Sequence, residues 1–167
     1  MGHRGVLMDV GGDFFTGDEV KRHLDVMALY KFNVLHWHLA EERGWRSAMD
    51  KYPKLAEGAA YRSRGGSTYG GSYSREDLEE VVNYAAGYGI EVIPEIELPG
   101  PRQAALAAYP ELGCTGEPVE VAPGRGVFKE NHCAGNEQTF DFMADVLDYV
   151  CEIFPAHYTH IGGHEAP

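Results

Sequence analysis

The feature that most constrains this 167-residue chain is alternation: four short β-prone runs, each closed by glycine or acidic residues, separated by helical stretches. The runs cover 5–10, 32–39, 90–98 and 158–161. After the first, Thr16 with Glu19 forms a capping box. Val20, Leu24, Met27 and Ala28 then recur at helical spacing, predicting a helix over 17–31. Ser74 with Asp77 starts the next, with Leu78, Val81, Val82 and Ala85 on one face and Gly89 ending it. Asn136 caps a third, read with Phe140, Met143, Ala144, Leu147 and Val150 inward and Pro155 as its stop. A short Ala-rich helix is expected over 103–109, a helical or irregular piece over 50–58, a loop or small excursion over 62–73 and a long irregular connection over 111–136.

Strand–helix alternation with right-handed crossovers places the four strands parallel and side by side. The glycine-rich and acidic segments then gather at the carboxyl end of the sheet, where αβ proteins hold their chemistry. The fold class expected is α/β, half of a (βα)8 TIM barrel spanning 1–167 as one unit. Four strands cannot close a ring, and the two outer strands would be exposed edges. Two copies related by a twofold axis could pair the fourth strand of one with the first strand of the other, so a homodimer is expected.

Bulk properties narrow the partners. A net charge of −12 without a basic patch argues against nucleic acid and anionic membranes. No apolar run reaches a membrane span and residues 1–4 carry no signal-peptide core, which leaves localisation open. Three cysteines are too few for a disulfide scaffold and fit no zinc spacing. Cys151 is expected as a buried thiol on a helix face, while Cys114 and Cys133 could pair in an oxidising compartment.

The last run leads into Gly162-Gly163 and then His164-Glu165. A glycine pair permits a tight turn and close approach, which makes Glu165 the leading candidate for a catalytic carboxyl group. A carboxylate that only caps the turn is the plainer reading of that motif taken alone. His36, His38, His160 and His164, with Asp9, Asp13, Glu97 and Glu165, raise a second reading, a Zn²⁺ site, against packed or hydrogen-bonded histidines. No cofactor or metal is assigned.

Several stretches carry a family pattern: Arg4-Gly-Val-Leu-Met-Asp-Val10, Val34-Leu-His-Trp-His-Leu39, Gly44-Trp45-Arg46, Val92-Ile-Pro-Glu-Ile-Glu-Leu-Pro-Gly100 and His160-Ile-Gly-Gly-His-Glu-Ala-Pro167. They resemble the β-N-acetylhexosaminidases of glycoside hydrolase family 20, over strands 1 to 4 of that family's barrel. The resemblance implies substrate-assisted hydrolysis of terminal N-acetylhexosamine, in which the sugar's acetamido oxygen attacks the anomeric carbon. It implies Glu165 as general acid and base, His164 in place of the family's acetamido-polarising Asp, and Arg4 and Glu42 as substrate-binding residues; Trp45 is read as a further substrate-binding residue at the mouth or, equally, as buried support. The expected partner is an N-acetylhexosaminide or glycan. Other departures sit at the same end of the barrel: Pro101 for a histidine, and Gly12-Asp13 where the family often has Arg-His. Truncation and these substitutions are expected to weaken the hydrolysis. A non-catalytic carbohydrate-binding or scaffold half-barrel is the third reading.

Overall fold

The computed structural model describes residues 2–98, 103–124, 126 and 132–163. Its centre is a parallel sheet of β1 (Gly5–Asp9), β2 (Val34–Glu41) and β6 (Glu91–Ile96), in the order β1-β2-β6. Between β2 and β6 the chain forms β3 (Gly44–Trp45), antiparallel to the end of β2, and a hairpin of β4 (Tyr61–Arg64) and β5 (Ser67–Gly70). The helices are α1 (Gly17–Leu29), α2 (Arg75–Gly87), α3 (Gln103–Ala108) and α4 (Glu137–Ile153), with a π-helical turn at Leu55–Ala59 and a 3-10 turn at Pro110–Leu112.

Local chemistry explains where the first two long helices begin. Thr16 accepts from the Glu19 backbone N–H while Glu19 reaches back to Thr16, and Ser74 and Asp77 repeat the exchange. Each reciprocal pair satisfies donors that a helix start leaves orphaned, typically worth about 1 kcal/mol. Trp37 and Leu35 of β2, with Met8, Val92 and Ile96 of its neighbours, join Leu24 of α1, Leu78 of α2 and Phe142 of α4 in one buried cluster. The register puts Leu7, Asp9, His36, His38 and Glu95 on the opposite face.

Four expectations need correction. Among the described residues the fourth strand is a single parallel bridge, Glu95 to His160, held by His160 N–H to Pro94 O at 2.9 Å and Ile96 N–H to His160 O at 3.0 Å. Gly162 (φ 68°) and Gly163 (φ 96°) are left-handed and end the extended conformation directly after Ile161. Residues 62–73 are mostly hairpin, because Gly65 (φ 59°) and Gly66 (φ 81°) form the two-residue turn with positive φ that suits a tight β-connection. The inward face of α4 is Thr139, Phe142, Val146, Val150 and Ile153, and Phe140 is exposed. That rotation also leaves Cys151 exposed instead of buried.

Candidate active site at the carboxyl edge of the sheet

The ends of β1 and β2 bring three carboxylates onto one guanidinium. Arg43 NH2 donates to Asp9 Oδ2 and to Glu41 Oε2, both at 3.0 Å. Its Nε lies 2.7 Å from Glu41 Oε1 and 3.7 Å from Glu42 Oε1. Asp9 also accepts from Gly12 N–H at 2.8 Å, which folds the glycine turn back over the strand end. A Cβ at Gly12 would run into the Arg43 guanidinium, so glycine there makes room for it. Burial is the largest influence on Glu41, and the nearby charges of Asp9 and Glu42 add to it. Together they outweigh the Arg43 hydrogen bond and push its carboxyl up to about 8. For Arg43, burial opposes the charge, but the Glu41 hydrogen bond and the surrounding carboxylates hold its pKa above the ordinary value.

Two further arginines brace this rim. Arg46, fully buried, donates Nε to Val10 O at 2.8 Å, NH2 to Gly11 O at 2.6 Å, and NH1 to Ala60 O and Gly71 O. Burial, with the charge of Arg62 adding to it, lowers its pKa to about 10. Arg62 of β4 donates NH1 to Gly12 O and Arg43 O. The glycine turn after β1, the end of β2 and the hairpin are therefore tied together by guanidinium groups.

Next to the rim, the inner face of the sheet carries imidazoles around Glu95. His36 Nε2 lies 2.6 Å from Glu95 Oε2, and His160 Nδ1 lies 3.1 Å from Glu95 Oε1. Burial works against the charge on Glu95. The His36 hydrogen bond and the nearby His38 and His160 more than offset it and hold the carboxyl below its usual range. His160 Nδ1 also lies 3.0 Å from Gly162 N. Protonated, that nitrogen serves Glu95; unprotonated, it receives the Gly162 N–H. His36, Glu95 and His160 present ligand atoms within 4.8 Å of one another, as do His38, Glu95 and Glu97, so among the described residues these two sets have the geometry that could hold a cation.

The residues singled out from sequence fare unequally. His164 and Glu165 lie outside the described residues, as does Pro101; the chain is described to Gly163, at the carboxyl edge of the sheet. Glu42 is at the rim, its side chain 14% exposed. Arg4 precedes β1, at the opposite end of the sheet, and its Nε donates to Lys31 O at 2.7 Å. The structure thus separates Arg4 from the strand ends instead of joining it to them. Trp45 is 1% exposed, donates Nε1 to Ser47 O at 2.7 Å and packs on Phe142, so it supports the rim from within the core and presents no face to a substrate. The roles of Arg43 and Arg62 were not read from sequence. The Gly65-Gly66 turn between alternating residues was the available signal for Arg62. His132 stacks on Phe142 with ring centroids 5.8 Å apart, filling a flat aromatic position.

Comparison with known proteins adds the family context. The model of the glycosyl hydrolase family 20 catalytic domain matches residues 1–167. A beta-hexosaminidase of Porphyromonas gingivalis is 45% identical over 169 residues, covering 99% of this chain and 22% of that protein. A solved beta-N-acetylhexosaminidase from Streptomyces coelicolor superposes with a TM-score of 0.92 at 44% identity, covering 98% of this chain and 33% of that one. A mutant Streptomyces plicatus beta-hexosaminidase in complex with its product GlcNAc gives a TM-score of 0.92 at 42% identity, covering 98% and 32%. The chain therefore spans a third or less of the length of these relatives.

Proposed function

Because this chain belongs to the glycosyl hydrolase family 20 catalytic-domain family, we propose that it forms strands 1 to 4 of a (βα)8 barrel that hydrolyses terminal β-linked N-acetylhexosamine once the barrel is complete. Relatives named as hexosaminidases favour this reading over a metal-binding half-barrel. The observation that carries it is the convergence of Asp9, Glu42, Arg43 and the Gly162–Gly163 turn on one edge of the sheet, with Glu165 two residues further along the chain.

In this proposal Glu165 protonates the glycosidic oxygen as the C1–O bond breaks. The substrate's acetamido oxygen forms the new bond to C1 from the face opposite the departing oxygen, giving an oxazolinium. Glu165, now a carboxylate, removes a proton from the water that attacks C1 and reopens that ring. His164 stands where the family has an aspartate. A neutral imidazole can accept from the acetamido N–H but brings no negative charge to the developing cation, so turnover is slower than with Asp. Glu42 is the rim carboxylate placed to accept from a sugar hydroxyl.

The remaining half of the barrel is supplied by a second copy. Leu7 on the inner face (55% exposed) and Ile161 beside the His160 bridge (51% exposed) are the apolar groups such a partner would cover. A light-scattering mass of twice the chain at micromolar concentration supports the homodimer, and a monomer mass overturns it. For the chemistry, turnover of a chromogenic N-acetyl-β-glucosaminide is compared with Glu165→Gln at matched oligomeric state. Loss of about 10²–10⁴-fold is expected for a missing general acid; equal turnover would refute the assignment.

A further inference from the structure

Glu97 has no part in the scheme above, yet it occupies a telling position. It follows β6 directly, at the carboxyl edge, and its side chain is almost wholly buried (1% exposed for the residue). Its Oε1 accepts from the Gly163 backbone N–H at 2.8 Å. A Cβ at Gly162 would strike the same carboxyl group, so glycine at 162 is what lets Glu97 lie flat against the turn. Both turn glycines have positive φ, a conformation other residues adopt at a cost, and the turn needs an external partner to fix its direction. The next residue, Leu98, donates its N–H to Ile161 O, so the side chain of Glu97 and the backbone of Leu98 hold the two sides of Gly162, at Gly163 and at Ile161.

We propose that Glu97 is a positioning residue: its buried carboxyl clamps the Gly162–Gly163 turn and thereby sets the direction in which the chain presents Glu165. The inference rests on the reading of Glu165 as the acid. A carboxyl accepting from a backbone N–H in a water-poor site forms one of the stronger hydrogen bonds available to a protein. His160 cannot replace it, because its Nδ1 is shared between Gly162 N–H and Glu95. Glu97 anchors the second glycine, nearer the reacting end. A turn released from this contact shifts the acid by a fraction of an ångström to an ångström, and a misplacement of about 1 Å costs on the order of 10²-fold in rate.

The test uses Glu97→Met, which keeps the volume and removes the acceptor, and Glu97→Gln, whose amide oxygen can still accept from Gly163. Two readouts are taken on the intact protein: amide hydrogen exchange at Gly163, and kcat and KM on the chromogenic N-acetyl-β-glucosaminide. Glu97→Met is expected to speed Gly163 exchange about tenfold, the scale of a lost buried hydrogen bond. It is also expected to lower kcat about 10²-fold with KM within about twofold. Glu97→Gln should restore most of both. Unchanged Gly163 exchange in Glu97→Met overturns the clamp whatever the activity. Faster exchange with parental kcat overturns the positioning role. Full activity in Glu165→Gln overturns the assignment of the acid instead, and the exchange measurement separates that failure from failure of the clamp.

Discussion

Glu41 gives the sharpest quantitative test of the rim. Its carboxyl, pushed up to about 8 from 4.5 by burial and by the facing Asp9 and Glu42, keeps its proton in the folded chain over a pH range in which the unfolded chain has lost it. The sign follows from linkage. With the folded pKa raised, the stabilising proton is fully present below about pH 4.5, and its contribution is lost as pH rises through about 8. Between about pH 5 and pH 8 the group alone should remove about 3–4 kcal/mol, at roughly 1.4 kcal/mol per unit. Glu41→Gln keeps the shape and cannot ionise, so this part of the pH dependence should vanish. Relative to the parent, the variant should gain about 3 kcal/mol on going from pH 5 to pH 8, or roughly 10 °C in thermal midpoint for a chain of this size. Urea or thermal unfolding of both proteins at the two pH values reads it directly. If the difference between parent and variant is the same at both, Glu41 is ionised against Arg43 throughout, and the argument from burial is wrong.

Further outcomes can be checked with the same preparations. Arg46→Met leaves the Val10, Gly11, Ala60 and Gly71 carbonyls without their donor and should cost more than about 3 kcal/mol in urea unfolding; a cost under about 1 kcal/mol would show that the guanidinium staple is not needed. Cys114 and Cys133 follow the paired residues Gly113 and His132, and their thiols are in hydrogen-bond contact. Mild oxidation should remove both from thiol titration and raise the melting temperature, whereas two thiols still titratable after oxidation would refute the pairing. The losses expected for Glu165→Gln and Glu97→Met complete the set.

What could be read from sequence was what short-range chemistry decides. The boxes Thr16–Glu19 and Ser74–Asp77 fixed two helix starts, because their partners lie three residues apart. The three parallel strands lie within about two residues of the apolar runs and glycine punctuation that mark them, whereas the run at 158–161 pairs only through the His160 bridge and the β4–β5 hairpin falls in a stretch read as a loop or small excursion. The inward face of α4 was misread because two apolar stripes interleave on it. The choice between them is made by rings distant in sequence, Trp45, Tyr52 and Tyr109, which pack on Phe142. Likewise, nothing local joins Asp9 to Arg43. Their contact follows from the β1–β2 register, in which Asp9 lies opposite His38. For Trp45 the sequence leaves a place at the mouth and buried support both open, and its burial against Phe142 favours support.

The order of the parallel strands across the sheet is also their order along the chain: β1, β2, β6 and then the His160 bridge. A ribosome releasing this chain from its amino end would therefore deliver each strand after its neighbour was already available, with α1 or α2 arriving in between to cover the seam. Among the described residues, none of the parallel strands has to be threaded between two others already paired. Synthesis and assembly can proceed in step, one βα unit at a time, with the inner face of the sheet the last surface to be closed.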